Sequence, residues 1–186
     1  MQTSKTLLGL GGIALGSIAL AAATAHPIVK DDGKSIEVSL RTADGTDAGI
    51  ATVTQTEHGV VIVADLKNLT PGAHGFHIHE TGACAPDFGA AGSHYNPLGS
   101  EHGFDGEGGY HVGDLPNIYA GEDGTASAEI FVPQINLMGP DNDRYPFTLS
   151  DDDGSALMVH ANADDYSDMS SAGGREACGV IVADKK

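Results

Sequence analysis

Hydrophobic and polar residues alternate in short runs along most of this chain, and the runs stop at Gly, Asp and Asn. Ser35-Ile36-Glu37-Val38-Ser39-Leu40 alternates with period two, the mark of a strand with one buried face. Similar runs predict strands at 50–56, 60–66, 73–80, 117–120, 125–132, 156–160 and 179–183. Glu57-His58-Gly59 and Glu122-Asp123-Gly124 separate neighbouring runs and read as turns, the first of them a hairpin. Helical periodicity is scarce. The pattern is that of an all-β sandwich or barrel of about eight strands.

Two stretches break the alternation. Residues 81–111 show no sustained period and contain eight glycines, and residues 161–176 are small, polar and acidic. Loops of this length without regular structure carry function or are disordered. No internal repeat or linker divides the remainder, so one domain is expected.

The N-terminus has a different character. Lys5 is followed by an apolar and small stretch from Leu7 to Ala23, then by Ala23-Thr24-Ala25, a small-x-small cleavage pattern. Residues 1–25 thus read as a secretory signal peptide, with a mature domain over 26–186. An uncleaved membrane anchor is the rival, but Gly, Ala and Ser make the run weakly hydrophobic. Cleavage removes Lys5 and no acid, so the formal charge moves from −17 to −18. Such an acidic chain should avoid nucleic acid and anionic membranes. Cys84 and Cys178 are the two cysteines. An even count in an exported chain favours a disulfide; zinc ligation is the alternative, although neither residue belongs to a C-x-x-C pair.

Candidate chemistry resides in the histidines. Six of the nine lie between His74 and His111. His77 and His79 stand two apart on a predicted strand and point to one face, so both imidazoles can reach one metal ion. Alone, such a pair is a weak signal and more often two ordinary strand histidines facing water. The long loop adds His94, His102 and His111, with Asp114 three residues after the last, and imidazoles with one carboxylate suit tetrahedral zinc. His160 ends the apolar run 156–159. Alone it would read as a buried, hydrogen-bonded side chain.

Five segments in order give these residues a context: G-F-H-I-H-E (75–80), G-S-H-Y-N-P (92–97), H-V-G-D-L (111–115), M-V-H-A-N-A-D-D (158–165) and G-R-E-A-C-G-V-I (174–181). Together they resemble the copper,zinc superoxide dismutase family, from about Ile36 to Val182. The resemblance implies an eight-stranded Greek-key β-barrel, related to the immunoglobulin-like sandwich, with two long functional loops. It implies copper at His77, His79, His94 and His160, and zinc at His94, His102, His111 and Asp114, with His94 shared. It implies that Cys84 and Cys178 form the intrachain disulfide, that Arg175 is the cation beside the copper, and that Asp164 links a copper histidine to a zinc histidine from behind. His74 resembles a structural histidine bonded to backbone. His58 falls in a turn and reads as solvated, and His26 would become the new N-terminus.

The activity so implied is dismutation of superoxide, with a copper donor as a further partner and either a homodimer or a monomer as the assembly. No stable membrane association is expected once the signal is removed. The short spacing between His79 and Cys84 resembles bacterial exported members, which points to the periplasm before the extracellular space. The rival readings are a non-enzymatic copper carrier on the same fold and a zinc-binding protein of the cell envelope. For Arg175 the plainer alternative is a surface ion pair with Glu176. One departure stands out: no Lys or Arg occurs between Lys67 and Arg144, and the 161–176 loop has no Lys. A long-range cationic funnel for an anionic substrate is therefore not expected.

Overall fold

The computed structural model describes residues 34–105 and 107–185; the expected signal segment lies outside them. Eight strands form one antiparallel sheet: β1 (Ser35–Thr42), β2 (Asp47–Thr56), β3 (Gly59–Leu66), β4 (Gly72–His79), β5 (Asp114–Ala120), β6 (Ala126–Pro133), β9 (Ser155–His160) and β10 (Arg175–Val182). The order across the sheet is β5-β4-β9-β10-β1-β2-β3-β6. Its edge strands β5 and β6 lie side by side without a shared ladder, so the barrel is nearly closed. The β3–β4 and β6–β9 connections each leap across the sheet, which is Greek-key topology. Two short strands, β7 (Ile135–Asn136) and β8 (Phe147–Thr148), pair in parallel outside the barrel.

The alternation read from sequence sorts inside from outside. Val38 and Leu40 on β1, and Val60, Ile62, Ala64 and Leu66 on β3, all point inward and are buried. Phe76 and Ile78 on β4 and Leu157 and Val159 on β9 join the same core. Each such side chain contributes about 1.5–3 kcal/mol by leaving water. The predicted turn at 57–59 is the β2–β3 hairpin, with Thr56 paired to Gly59, and His58 at its tip is exposed.

Observed strands differ from the expected ones by three or more residues at three ends. β2 begins at Asp47, β5 at Asp114 and β10 at Arg175, which is three, three and four residues earlier than the alternation indicated. In β10, register shifts between Arg175 and Ala177 and between Val180 and Val182 interrupt the period. The two-residue β7 and β8 are too short to leave a periodic signature.

β9 departs from strict alternation because both its faces are covered: every residue from Ser155 to His160 is buried. Its outer residues Ala156 and Met158 pack with Ala91 and Cys178, with Cys84 and Phe88 alongside. The disulfide Cys84–Cys178, across a sequence separation of 94, pins the start of the 81–111 loop to this outer face. A cross-link closing a loop of that size stabilises the fold by about 4–5 kcal/mol in chain-entropy models. The zinc-ligation alternative for these cysteines is thereby excluded.

Candidate metal centre

The outer face of β5-β4-β9-β10 carries the site. His77 stands in register with Asp114 on one side and Met158 on the other. Directly opposed residues in antiparallel strands share a face, and so do residues two apart. Asp114, His77, His79, Met158 and His160 therefore line one surface, outside the barrel core. Arg175 pairs with His160 at the end of the same surface.

The 81–111 loop folds back over this face. His79 bridges to His94, Tyr95 N donates to Ile78 O at 2.8 Å, and Ile78 N donates to Gly113 O at 2.9 Å. Glycine is required at 113, since a Cβ there would lie 2.3 Å from the Ile78 carbonyl. The fold-back seats His94 between two sets of ligands. His77, His79, His94 and His160 form one set, and His94, His102, His111 and Asp114 the other, with donor atoms within 4.8 Å of one another in each. All seven side chains are buried. The rings of His77 and His94 are only 4.0 Å apart between centroids.

Hydrogen bonds assign the ring nitrogens. Asp114 Oδ1 lies 2.7, 3.1 and 3.2 Å from Nδ1 of His94, His102 and His111. Its Oδ2 accepts from the backbone N of Gly103 at 2.8 Å and of His111 at 3.0 Å. Three imidazole nitrogens around one carboxylate oxygen make a four-donor set suited to zinc. His94 thus turns Nδ1 to this set, which leaves Nε2 for the other.

In the first set, Nε2 of His79 and His160 stand 3.4 Å apart. His77 Nε2 bonds Asp164 Oδ2 at 2.7 Å, while His77 Nδ1 is buried and has no hydrogen-bond partner among the described residues. A buried lone pair without a donor costs about 1–3 kcal/mol, and a cation bound there removes that cost. The orphaned nitrogen, in a group of four imidazoles, fits a copper ion.

Asp164 is the bridge behind both sets. Its Oδ2 holds His77, and its Oδ1 lies 3.1 Å from His102 Nε2. Burial alone would raise the Asp164 carboxyl pKa. The His77 hydrogen bond and the Tyr166 backbone N–H outweigh it and hold the group well below the usual carboxylate range. Asp114 is depressed likewise, because His94 and Gly103 N–H overcome its burial. The imidazoles shift the other way. Desolvation, followed by the neighbouring histidines and Arg175, lowers His79 to about 2 and His160 to about 3. Burial also lowers His77 and His111. Those four rings are neutral at physiological pH and so carry free lone pairs for metal ions.

Arg175 does not pair with Glu176. Its guanidinium donates to the carbonyls of Phe88 and Gly92, and Gly92 O also lies 3.1 Å from His79 Nδ1. Glu176 Oε1 instead accepts from Thr70 N and Oγ1 at 2.6 and 2.7 Å. The ion-pair reading of Arg175 is therefore corrected: two carbonyls fix a half-buried cation beside the first set of ligands. His74 matches its structural expectation, with ring nitrogens 2.8 Å from His160 O and 2.6 Å from Thr70 O.

Every ligand expected from the sequence thus lies in one of the two sets. Sequence reasoning missed the residues that hold Asp164 in place. Asn117 Oδ1 accepts from Asp164 N and Asn117 Nδ2 donates to Asp164 O, both at 2.8 Å, and Tyr166 N donates to Asp164 Oδ1 at 2.8 Å. Asn and Tyr carry no motif of their own, and only tertiary proximity reveals them.

Comparison with known proteins places this geometry. The family model for copper/zinc superoxide dismutase matches residues 47–181. The chain is 46% identical over 146 residues to a Cu-Zn superoxide dismutase of Caulobacter vibrioides, covering 76% of this chain and 82% of the relative. It is 34% identical over 194 residues to that of Neisseria meningitidis, covering 95% and 98%. Among solved structures, the Cu/Zn superoxide dismutase of Brucella abortus matches with a TM-score of 0.64 at 32% identity, over 80% of this chain and 99% of that one. A double mutant of a SOD-like protein from Bacillus subtilis matches with a TM-score of 0.71 at 38% identity, over 78% and 96%.

Proposed function

Because this chain belongs to the copper/zinc superoxide dismutase family, we propose that copper is held by His77, His79, His94 and His160 and zinc by His94, His102, His111 and Asp114. The protein is a superoxide dismutase: two superoxide anions and two protons become one dioxygen and one hydrogen peroxide. The observation that carries the assignment of roles is the double membership of His94 in the two sets of ligands.

Bound copper supplies a one-electron couple, and bound zinc a fixed positive charge with no redox chemistry. The remaining work falls to the side chains. His94 fixes the distance between the two sets through the two nitrogens of one ring. Its Nε2 is the atom that can hold a proton and pass it to the reduced product, while Nδ1 stays with Asp114. Arg175 draws the anionic substrate toward the first set, and its anchoring carbonyls keep the guanidinium from swinging away. Asp164 orients His77 and His102 together, so displacement of one ring is felt by the other.

The disulfide and the bacterial relatives are consistent with export. Residues 1–25 then serve as the signal peptide, the mature domain begins at His26, and the periplasm is its compartment. A copper donor is a partner in maturation, and the active unit is a homodimer or a monomer. No helix among the described residues is long and apolar enough to cross a membrane. Nothing in the site favours a carrier role.

The test is superoxide turnover by protein loaded with copper and zinc, against protein loaded with zinc alone. Fast turnover only in the first supports the assignment. Equal, slow rates in both would overturn it.

A further inference from the structure

Asp164 joins the two sets of ligands yet stands on a loop without regular structure, so something else must hold it. Its Oδ1 accepts from Tyr166 N at 2.8 Å and from Ser171 Oγ at 3.2 Å. Asn117 of β5 grips its backbone from both sides. Tyr166 is the unusual member of this group. Its φ is 62°, in the left-handed region that a bulky side chain rarely adopts. Such a conformation persists only where surrounding contacts over-determine it.

Those contacts reach both halves of the zinc set. The Tyr166 hydroxyl accepts from Asn117 N at 2.8 Å, which anchors it to β5 three residues beyond Asp114. Its ring stacks on Phe104, with centroids 5.0 Å apart, and its carbonyl accepts from Asp105 N at 3.3 Å. Gly103, with φ of 85°, passes so close that a Cβ would lie 1.9 Å from the Tyr166 carbonyl. Gly103 N in turn donates to Asp114 Oδ2. One residue therefore touches the Asp164 carboxylate, the middle of β5 at Asn117 and the three residues that follow His102.

Resting on the zinc assignment above, we propose that Tyr166 is a positioning residue for the zinc set: it ties Asp164 and the 103–105 segment to β5, so that His102 and Asp114 are aligned before the cation arrives. The left-handed backbone aims Tyr166 N at Asp164, and the hydroxyl and ring prevent that backbone from relaxing. Loss of the ring frees the 103–105 segment, and loss of the hydroxyl frees one anchor of the loop.

The test uses disulfide-intact, metal-free protein in three forms: wild type, Tyr166→Phe and Tyr166→Asn. Asn tolerates the left-handed backbone but supplies neither ring nor phenol. Zinc affinity is read by competition with a chromophoric chelator, and site geometry by the visible bands of cobalt(II) bound in place of zinc. The expected result is a loss of zinc affinity of roughly tenfold for Y166N, with altered cobalt bands, and a smaller loss in the same direction for Y166F. Wild-type affinity and bands in both variants, with only a lower melting temperature, would show a merely structural residue and overturn the proposal. Should Y166N not fold, wild-type zinc affinity and bands in Y166F overturn it on their own. Failure of the underlying zinc assignment looks different: wild-type protein would give no tetrahedral cobalt spectrum, or one that survives His111→Ala.

Discussion

Acidifying the metal-free protein probes the ligand cluster directly, because four of its imidazoles are held neutral by burial. In the unfolded chain a histidine titrates near 6.5. In the fold His79 and His160 titrate at about 2 and about 3. Between those values the unfolded state binds more protons, so stability is present above pH 6.5 and lost as pH falls. By pH 5, each of these two rings has cost about 2 kcal/mol, at 1.36 kcal/mol per unit over 1.5 units. The pair together costs about 4 kcal/mol, and His77 and His111 add to it in the same direction. That is a large share of a typical 5–15 kcal/mol stability. The carboxylates do not confuse this window: Asp114 and Asp164 are also depressed, but their stabilisation is lost only as pH falls below the unfolded carboxylate value of about 3.9. The assay is urea unfolding of disulfide-intact, metal-free protein at pH 7.0, 6.0 and 5.0, beside a His79→Gln/His160→Gln variant. The expected outcome is a fall of at least about 4 kcal/mol in the wild type from pH 7.0 to 5.0, and a much flatter response in the variant. Equal stability of the wild type at both pH values would refute the neutral-cluster reasoning.

Other consequences are independent of that one. Arg175→Ala with both metals retained should lower kcat/KM by on the order of tenfold; unchanged turnover at low salt would remove Arg175 from substrate attraction. Since no Lys or Arg occurs between Lys67 and Arg144, the rate should depend only shallowly on ionic strength, as a series from low to physiological salt will reveal. Replacing Cys84 and Cys178 together by Ser should cost about 4–5 kcal/mol in denaturant unfolding, and should weaken metal retention because the loop carrying Phe88, Gly92 and His94 loses its pin. Met158→Ala, beneath the site on the outer face of β9, should cost about 2–5 kcal/mol in the same assay.

The barrel was legible along the chain because its cause is local. A strand with one buried face must alternate, and β1, β2, β3 and β6 do so with few interruptions. Where two faces are buried, as on β9, alternation gives way to a continuous apolar run, and where a bulge shifts register, as in β10, the signal weakens and the start of the strand falls four residues before the expected one. The ligands were legible for another reason: imidazoles and carboxylates are the residue types a metal needs, and His77 and His79 share a face by period alone. The anchoring of Arg175 was not, because its partners are main-chain carbonyls 83 and 87 residues away, which no side-chain pattern marks.

Sequence by itself determined the strand periodicity, the acidic charge, the pair of cysteines and the supply of metal-binding side chains, since each is a property of neighbouring residues or of composition. Tertiary structure alone decided that His94 belongs to both sets, that Asp164 reaches both His77 and His102, and that Arg175 leaves Glu176 for two carbonyls. Those outcomes depend on where a loop returns after the barrel closes. That return is set by contacts between residues 60 to 90 positions apart, such as Asp164 with His77 and His102, and nothing local encodes them.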